Sequence, residues 1–131
     1  MCPSSIGRDE GYFTEKQVEE IKNTNIIGKF LAKTYETYWE PGYKDRRIAT
    51  NDICAVYYLI HPKLYKTKKA DIEVDTEKSI GKTIAHYNKN GVFKIVVGLK
   101  RRKFQKLLFK KLKEMNKIEI TDKTFLKNIE E

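Results

Sequence analysis

The sequence predicts an α+β arrangement: three helices, then a small antiparallel sheet, then one more helix. Three observations predict it. The first half carries apolar residues at helical spacing behind clear helix-start signals, the period drops to two beyond Pro62, and a helical period returns with a basic face over residues 100–117. At 131 residues, with 40% hydrophobic and 11% aromatic content, the chain suits one domain that can bury a core, which argues against global disorder.

The elements follow in order. Thr14 can cap a helix, Gln17 three residues on completes a capping box, and Phe13 with Val18 supplies the hydrophobic staple. This helix should end near Asn23. A second helix is expected over residues 25–39, with Ile26, Ile27, Phe30, Leu31, Tyr35 and Tyr38 on one broad face, until Pro41 and Gly42 in "EPGYKD" break it. The third begins at Asn51-Asp52 and stops before Pro62. In "KADIEVDT", Ala70, Ile72 and Val74 alternate with Asp71, Glu73 and Asp75, the two-residue period of a strand with one wet face. "SIGKTIAHY" and "VFKIVVGLK" continue as two more strands, joined by "NKNG", whose Asn90-Gly91 predicts a hairpin turn. The basic helix comes next, and residues 118–131 are expected to add a short strand and a last helix from Thr121 or Asp122. No repeat, low-complexity tract or Gly/Ser linker divides the chain, so residues 1–131 read as a single unit.

Charge is concentrated near the C-terminal end. Residues 100–117 hold nine basic side chains against the single Glu114, out of a net charge of +9 for the whole chain. Phe104, Leu107, Leu108, Leu112 and Met115 recur among them at helical spacing, so the basic face reads most simply as a solvated surface. Lysine outnumbers arginine 22 to 5, whereas phosphate and base-edge recognition favours arginine's forked guanidinium, and the balance is against nucleic acid as a partner. The longest apolar run, residues 53–60, is far below the roughly 20 residues of a membrane-spanning helix. The N-terminus lacks a basic start followed by an apolar stretch, and the expected location is cytoplasmic with no membrane partner. Cys2 and Cys54 stand far apart without metal-ligand spacing, so reduced thiols are expected.

Residues 51–65 read NDICAVYYLIHPKLY; after them come Ile72-Glu73-Val74-Asp75, then Gly81-Lys82-Thr83-Ile84-Ala85-His86-Tyr87, then residues 92–97, then Lys103-Phe104. In that order they resemble segments of the inosine-uridine preferring nucleoside hydrolase family. The family's text is H-D-P-x-A-V-A-Y-L-L-x-P-E-L-F, V-x-V-E, R-G-x-T-V-x-D, N-V-x-V-A and D-x-x-x-F. The resemblance implies an α/β family fold with a Rossmann-like open sheet, of which this chain is the α+β C-terminal portion. The N-terminal half, with its aspartate-rich D-T-D-x-G-x-D-D motif, has no counterpart here, and a C-terminal fragment or truncated gene product is expected.

The implied chemistry is hydrolysis of the N-glycosidic bond of ribonucleosides in purine and pyrimidine salvage. A calcium ion holds the ribose hydroxyls and activates a water in that family. Asp52 matches a family calcium ligand, and Asn51 replaces the histidine implicated in protonating the leaving base. An amide donates a hydrogen bond but has no titrating proton near neutral pH. Trp39 and Tyr43 lie in the region from which family members cover the nucleobase. One carboxylate cannot supply six to eight oxygens, so the chain alone is expected to bind no calcium and to be inactive. Ribonucleosides are the implied substrates, and a complementary N-terminal chain or self-association the implied assembly. The alternative is a small basic module for nucleic acid or protein on a degenerate hydrolase scaffold. Plainer roles exist for each residue: Asn51 and Asp52 as helix N-caps, Trp39 and Tyr43 as core aromatics, His61 and His86 as structural or exposed, Cys54 as a small buried side chain.

Overall fold

A computed structural model of the chain describes residues 1–37 and 47–115. They fall into two units, each drawn from two stretches: residues 12–50 with 101–131, and residues 1–11 with 51–100. The anticipated break at Pro41-Gly42, Tyr38, and the expected strand and helix after residue 117 lie outside the described residues.

The first unit is mainly helical. Strand β1 (Phe13–Thr14) pairs antiparallel with β2 (Arg47–Ile48), placing Phe13 opposite Ile48. Helix α1 (Glu15–Lys22) starts as the sequence predicts. The Gln17 N–H donates to the Thr14 hydroxyl at 3.4 Å, and the Thr14 N–H donates back to Gln17 Oε1 at 3.1 Å, satisfying donors that a helix start leaves open. Phe13 and Val18 are both buried in one apolar cluster with Ile21, Ala32, Ile48 and Leu112. The Phe13 ring meets Phe109 edge-on, centroids 6.0 Å apart, and Tyr35 at 6.3 Å. A truncation to alanine there removes an aromatic from the middle of the core, a change that costs about 3–5 kcal/mol.

Helix α2 (Ile26–Glu36) is capped by Asn25, whose Oδ1 accepts the Gly28 N–H at 2.9 Å. Its buried stripe is not the one the apolar pattern suggested. Gly28 and Ala32, four apart, face inward, with Ile27, Leu31 and Tyr35 flanking them, while Phe30 is turned to solvent. The cause is a close helix approach, since a Cβ on Gly28 would lie 2.1 Å from the Ile21 carbonyl oxygen. Burial pushes the Tyr35 hydroxyl's pKa up. Helix α4 (Arg101–Glu114) buries Phe104 and Leu112 and leaves Lys103, Lys106, Lys110, Lys111 and Lys113 exposed, the amphipathic pattern read from sequence. Its Arg101 guanidinium carbon lies 3.7 Å from the centroid of the Tyr12 ring, and that of Arg47 4.5 Å.

The second unit holds helix α3 (Asn51–Ile60), a short 3₁₀ turn over Pro62–Leu64, and a three-stranded sheet of β3 (Tyr65–Val74), β4 (Thr83–Tyr87) and β5 (Phe93–Leu99). The strand order is β4-β3-β5, with β3 antiparallel to both neighbours. This corrects the hairpin expected between the last two strands. β4 pairs with residues 70–74 of β3, β5 pairs with residues 65–70, and residues 88–92 carry the chain across β3 at Ala70.

Two residues make that crossing possible. Gly91 lies so close that a Cβ on it would come within 2.4–2.6 Å of Ala70 backbone atoms, so only glycine fits. Asp71 pins both ends of the crossing, its carboxylate accepting from Asn88 Nδ2 at 2.6 Å and from the Val92 N–H at 3.2 Å. Those bonds hold its pKa below the usual carboxylate value. The β3–β4 turn is organised by Asp75, which accepts the N–H groups of Glu77, Lys78 and Ser79 at 2.9–3.0 Å, and by Gly81 at φ +86°.

The free edge of β5 is closed by the chain's own start. The Met1 ammonium donates to the Lys94 carbonyl at 2.7 Å, and the Val96 N–H donates to the Met1 carbonyl at 2.9 Å. A covered edge cannot pair with another chain. Ile6, Cys54, Tyr57, Leu64, Tyr65, Ala70, Ile95 and Val96 form this unit's buried apolar set. The alternation read on β3 holds at Ala70, weakens at half-buried Ile72 and fades at Val74, which is 52% exposed near the turn.

Candidate functional site

The residues the sequence singles out sit at the N-terminal end of α3. That helix begins at Asn51, so the capping position falls one residue earlier, on buried Thr50. Asn51 and Asp52 are therefore the first two helical residues and both are exposed, which corrects the expectation that either is the cap. A carboxylate in the first turn is favoured by the helix dipole and the open N–H groups there.

Two features fix where this end points. A π-helical turn over Ile6–Glu10 lies against it, with buried Gly7 so near that a Cβ would be 2.4 Å from Asn51 Oδ1 and 2.6 Å from the Asn51 backbone nitrogen. On the inner face of α3, Cys54 and Tyr57 are buried, and the Tyr65 hydroxyl donates to the Cys54 carbonyl at 2.9 Å. The Tyr65 and Tyr58 rings meet edge-on with centroids 5.5 Å apart. Burial first, and then the neighbouring Cys54 side chain, drive the Tyr65 pKa well above the ordinary phenol value, so the hydroxyl stays protonated and keeps donating. Glu10, at the other end of the π-helical turn, accepts the Leu99 N–H at 2.6 Å and ties that turn to β5.

Neither Gly7 nor Tyr65 stood out in the sequence. Gly7 lies in "SSIGRDEGYF", which carries no recognisable spacing, and Tyr65 reads as the end of an apolar segment. The signal for Asp75 was available, since an aspartate ahead of "TEKSIG" is a strong turn opener.

Trp39 and Tyr43 lie outside the described residues. The His61 ring meets Tyr57, one turn earlier, at a tilt with centroids 5.5 Å apart, and exposed His86 pairs through Nε2 with Glu73 at 2.9 Å. Cys54 is fully buried, as a small apolar side chain would be. Among the described residues no three of His, Cys, Asp and Glu come together as metal ligands. A calcium ion needs six to eight oxygens, so the described residues do not fit a calcium site by themselves. What the α3 end can offer is one carboxylate and one amide, at successive positions of a helix start.

No protein-family model matches the sequence, and no curated protein does either. The fold does have a counterpart. A solved plant nucleoside hydrolase matches with a TM-score of 0.66 at 22% identity, over 79% of this chain and 38% of that one. The chain is thus similar in fold to a nucleoside hydrolase and spans little more than a third of that enzyme's length. Among the described residues no helix is long and apolar enough to cross a membrane.

Proposed function

We propose that this chain is the C-terminal portion of a nucleoside hydrolase of the inosine-uridine preferring type, which works only when the rest of that fold is supplied. One observation carries the reading: a fold match to a nucleoside hydrolase over 79% of the chain. In this reading the reaction is hydrolysis of the N-glycosidic bond of a ribonucleoside to base and ribose. Asp52 offers one carboxylate toward a calcium site whose remaining oxygens come from beyond the described residues. Asn51 offers an amide N–H to the departing base and no proton, so leaving-group protonation is the weak step. Trp39 and Tyr43, outside the described residues, are the side chains this reading assigns to the base.

The test is complementation. The full chain is assayed for ribose released from inosine and from uridine, alone and with the N-terminal part of a nucleoside hydrolase added or fused before Met1. The chain alone should release none, and the combination should release ribose. Release by the chain alone, with the loss of that release on Asp52→Ala, would refute the need for a second part.

A further inference from the structure

The chain crossing at Ala70 leaves a notch of about 440 Å³ on the sheet unit, lined by Lys68, Lys69, Tyr87, Asn88 and Lys89. That volume lies within the roughly 300–1,000 Å³ of small-molecule sites. Its charge is one-sided. Lys68 shares a sheet face with Tyr87, because Tyr87 pairs with Ala70 two residues further on, whereas the Lys69 and Lys94 side chains lie opposite each other on the other face. No ion pair among the described residues offsets Lys68, Lys69, Lys89 or Lys94. The carboxylates nearest in the strands are already engaged, Asp71 by Asn88 and Val92, Glu73 by His86. The notch also has a flat wall. Tyr87 is 54% exposed although it ends a strand, and the Lys68 ammonium sits 5.6 Å from its ring centroid.

Cation and ring at that spacing match a ligand that carries an anionic group and an aromatic face together. We propose that this notch binds a nucleotide, with the phosphate between Lys68 and Lys89 and the base against the Tyr87 ring. A phosphate would bridge cations that no carboxylate now offsets, and a base would cover apolar ring surface that now meets water. The nucleotide could be free or one unit of a single strand, since both present the same phosphate and base. Nothing in this site depends on nucleoside hydrolysis, because none of its residues belongs to the α3 end.

The experiment is an NMR titration of the full chain with adenosine 5′-monophosphate, adenosine, ribose 5-phosphate and the RNA octamer r(A)8. Adenosine 5′-monophosphate should shift the amides of residues 68, 69, 87 and 89 and bind about tenfold tighter than adenosine or ribose 5-phosphate. Its affinity should fall as salt is raised. Tyr87→Leu and Lys68→Ala should each weaken it about tenfold, and Tyr87→Phe should keep it. Tighter binding of r(A)8 would assign the nucleotide to a strand, and equal binding would assign it to the free pool. Adenosine binding as well as its monophosphate would overturn the proposal. So would Tyr87→Leu that keeps a native amide spectrum and full affinity, or shifts confined to other residues.

Discussion

Replacing Gly7 by alanine tests the local geometry that holds the α3 end in place. The added methyl carbon would lie 2.4 Å from Asn51 Oδ1, 2.6 Å from the Asn51 nitrogen and 2.7 Å from its Cα. The side-chain oxygen could rotate away, but the two backbone atoms cannot, because they belong to the first residue of a helix. Either the π-helical turn or α3 must shift. Overpacking of this kind costs about 1–3 kcal/mol, and the two backbone clashes put Gly7→Ala at about 3. For a chain of 131 residues this is a fall of roughly 10 °C in melting temperature. Gly81→Ala calibrates the scale: nothing lies within 4 Å of a Cβ there, and only the φ of +86° opposes it, so about 1 kcal/mol is expected. Thermal unfolding followed by circular dichroism should rank the wild type first, Gly81→Ala second and Gly7→Ala last. A Gly7→Ala protein that melts with the wild type would refute the contact between this turn and the helix start.

Thr14→Ala should cost about 1 kcal/mol through loss of the cap, and Gln17→Ala added to it should cost little more because the two act as one box; additive losses in urea unfolding would contradict this. Asp75 has a folded pKa held down chiefly by the Glu77 and Lys78 N–H groups, so its contribution is present above the unfolded value of about 3.9 and is lost as pH falls through the folded value. The stability gap between wild type and Asp75→Asn should therefore be constant near neutral pH and shrink as the pH falls below about 4, and a gap that widens on acidification would sink the assignment. Leu59, Ile60 and Val56 on α3 are 80%, 60% and 53% exposed, so the free chain should bind a hydrophobic dye or self-associate, and Leu59→Glu should reduce both. A monodisperse protein that ignores the dye would count against that surface.

Local signals carried the helices well and the sheet less well. The Thr14 box and the stop before Pro62 were legible because capping and helix-breaking chemistry is written in adjacent residues. The start of β3 at Tyr65 was not, because Lys66, Lys68 and Lys69 hide the strand period. The β4–β5 connection misled for a different reason. Asn90-Gly91 is a good hairpin dipeptide, but here the glycine serves a close backbone crossing over Ala70, a tertiary demand that no dipeptide reveals. The α2 stripe turned on Gly28 for the same reason, since a missing side chain sets the helix approach and apolar periodicity counts only the side chains present. At the candidate site, Asn51 and Asp52 were found through the resemblance of their segment, whereas their supports, Gly7 and Tyr65, lie elsewhere in sequence and become visible only in three dimensions.

The most direct test of the central claim is ribose release by the completed enzyme carrying Asp52→Ala or Asn51→His. If the α3 end belongs to a hydrolase site, Asp52→Ala should abolish turnover on inosine and uridine alike. Asn51→His should raise turnover on the purine nucleoside, by up to about 10²–10⁴-fold if it restores full acid catalysis, and change little for p-nitrophenyl riboside, whose leaving group departs without a proton. Unchanged turnover with Asp52→Ala, or equal effects of Asn51→His on both substrates, would contradict the placement of these two residues at the metal and the leaving base.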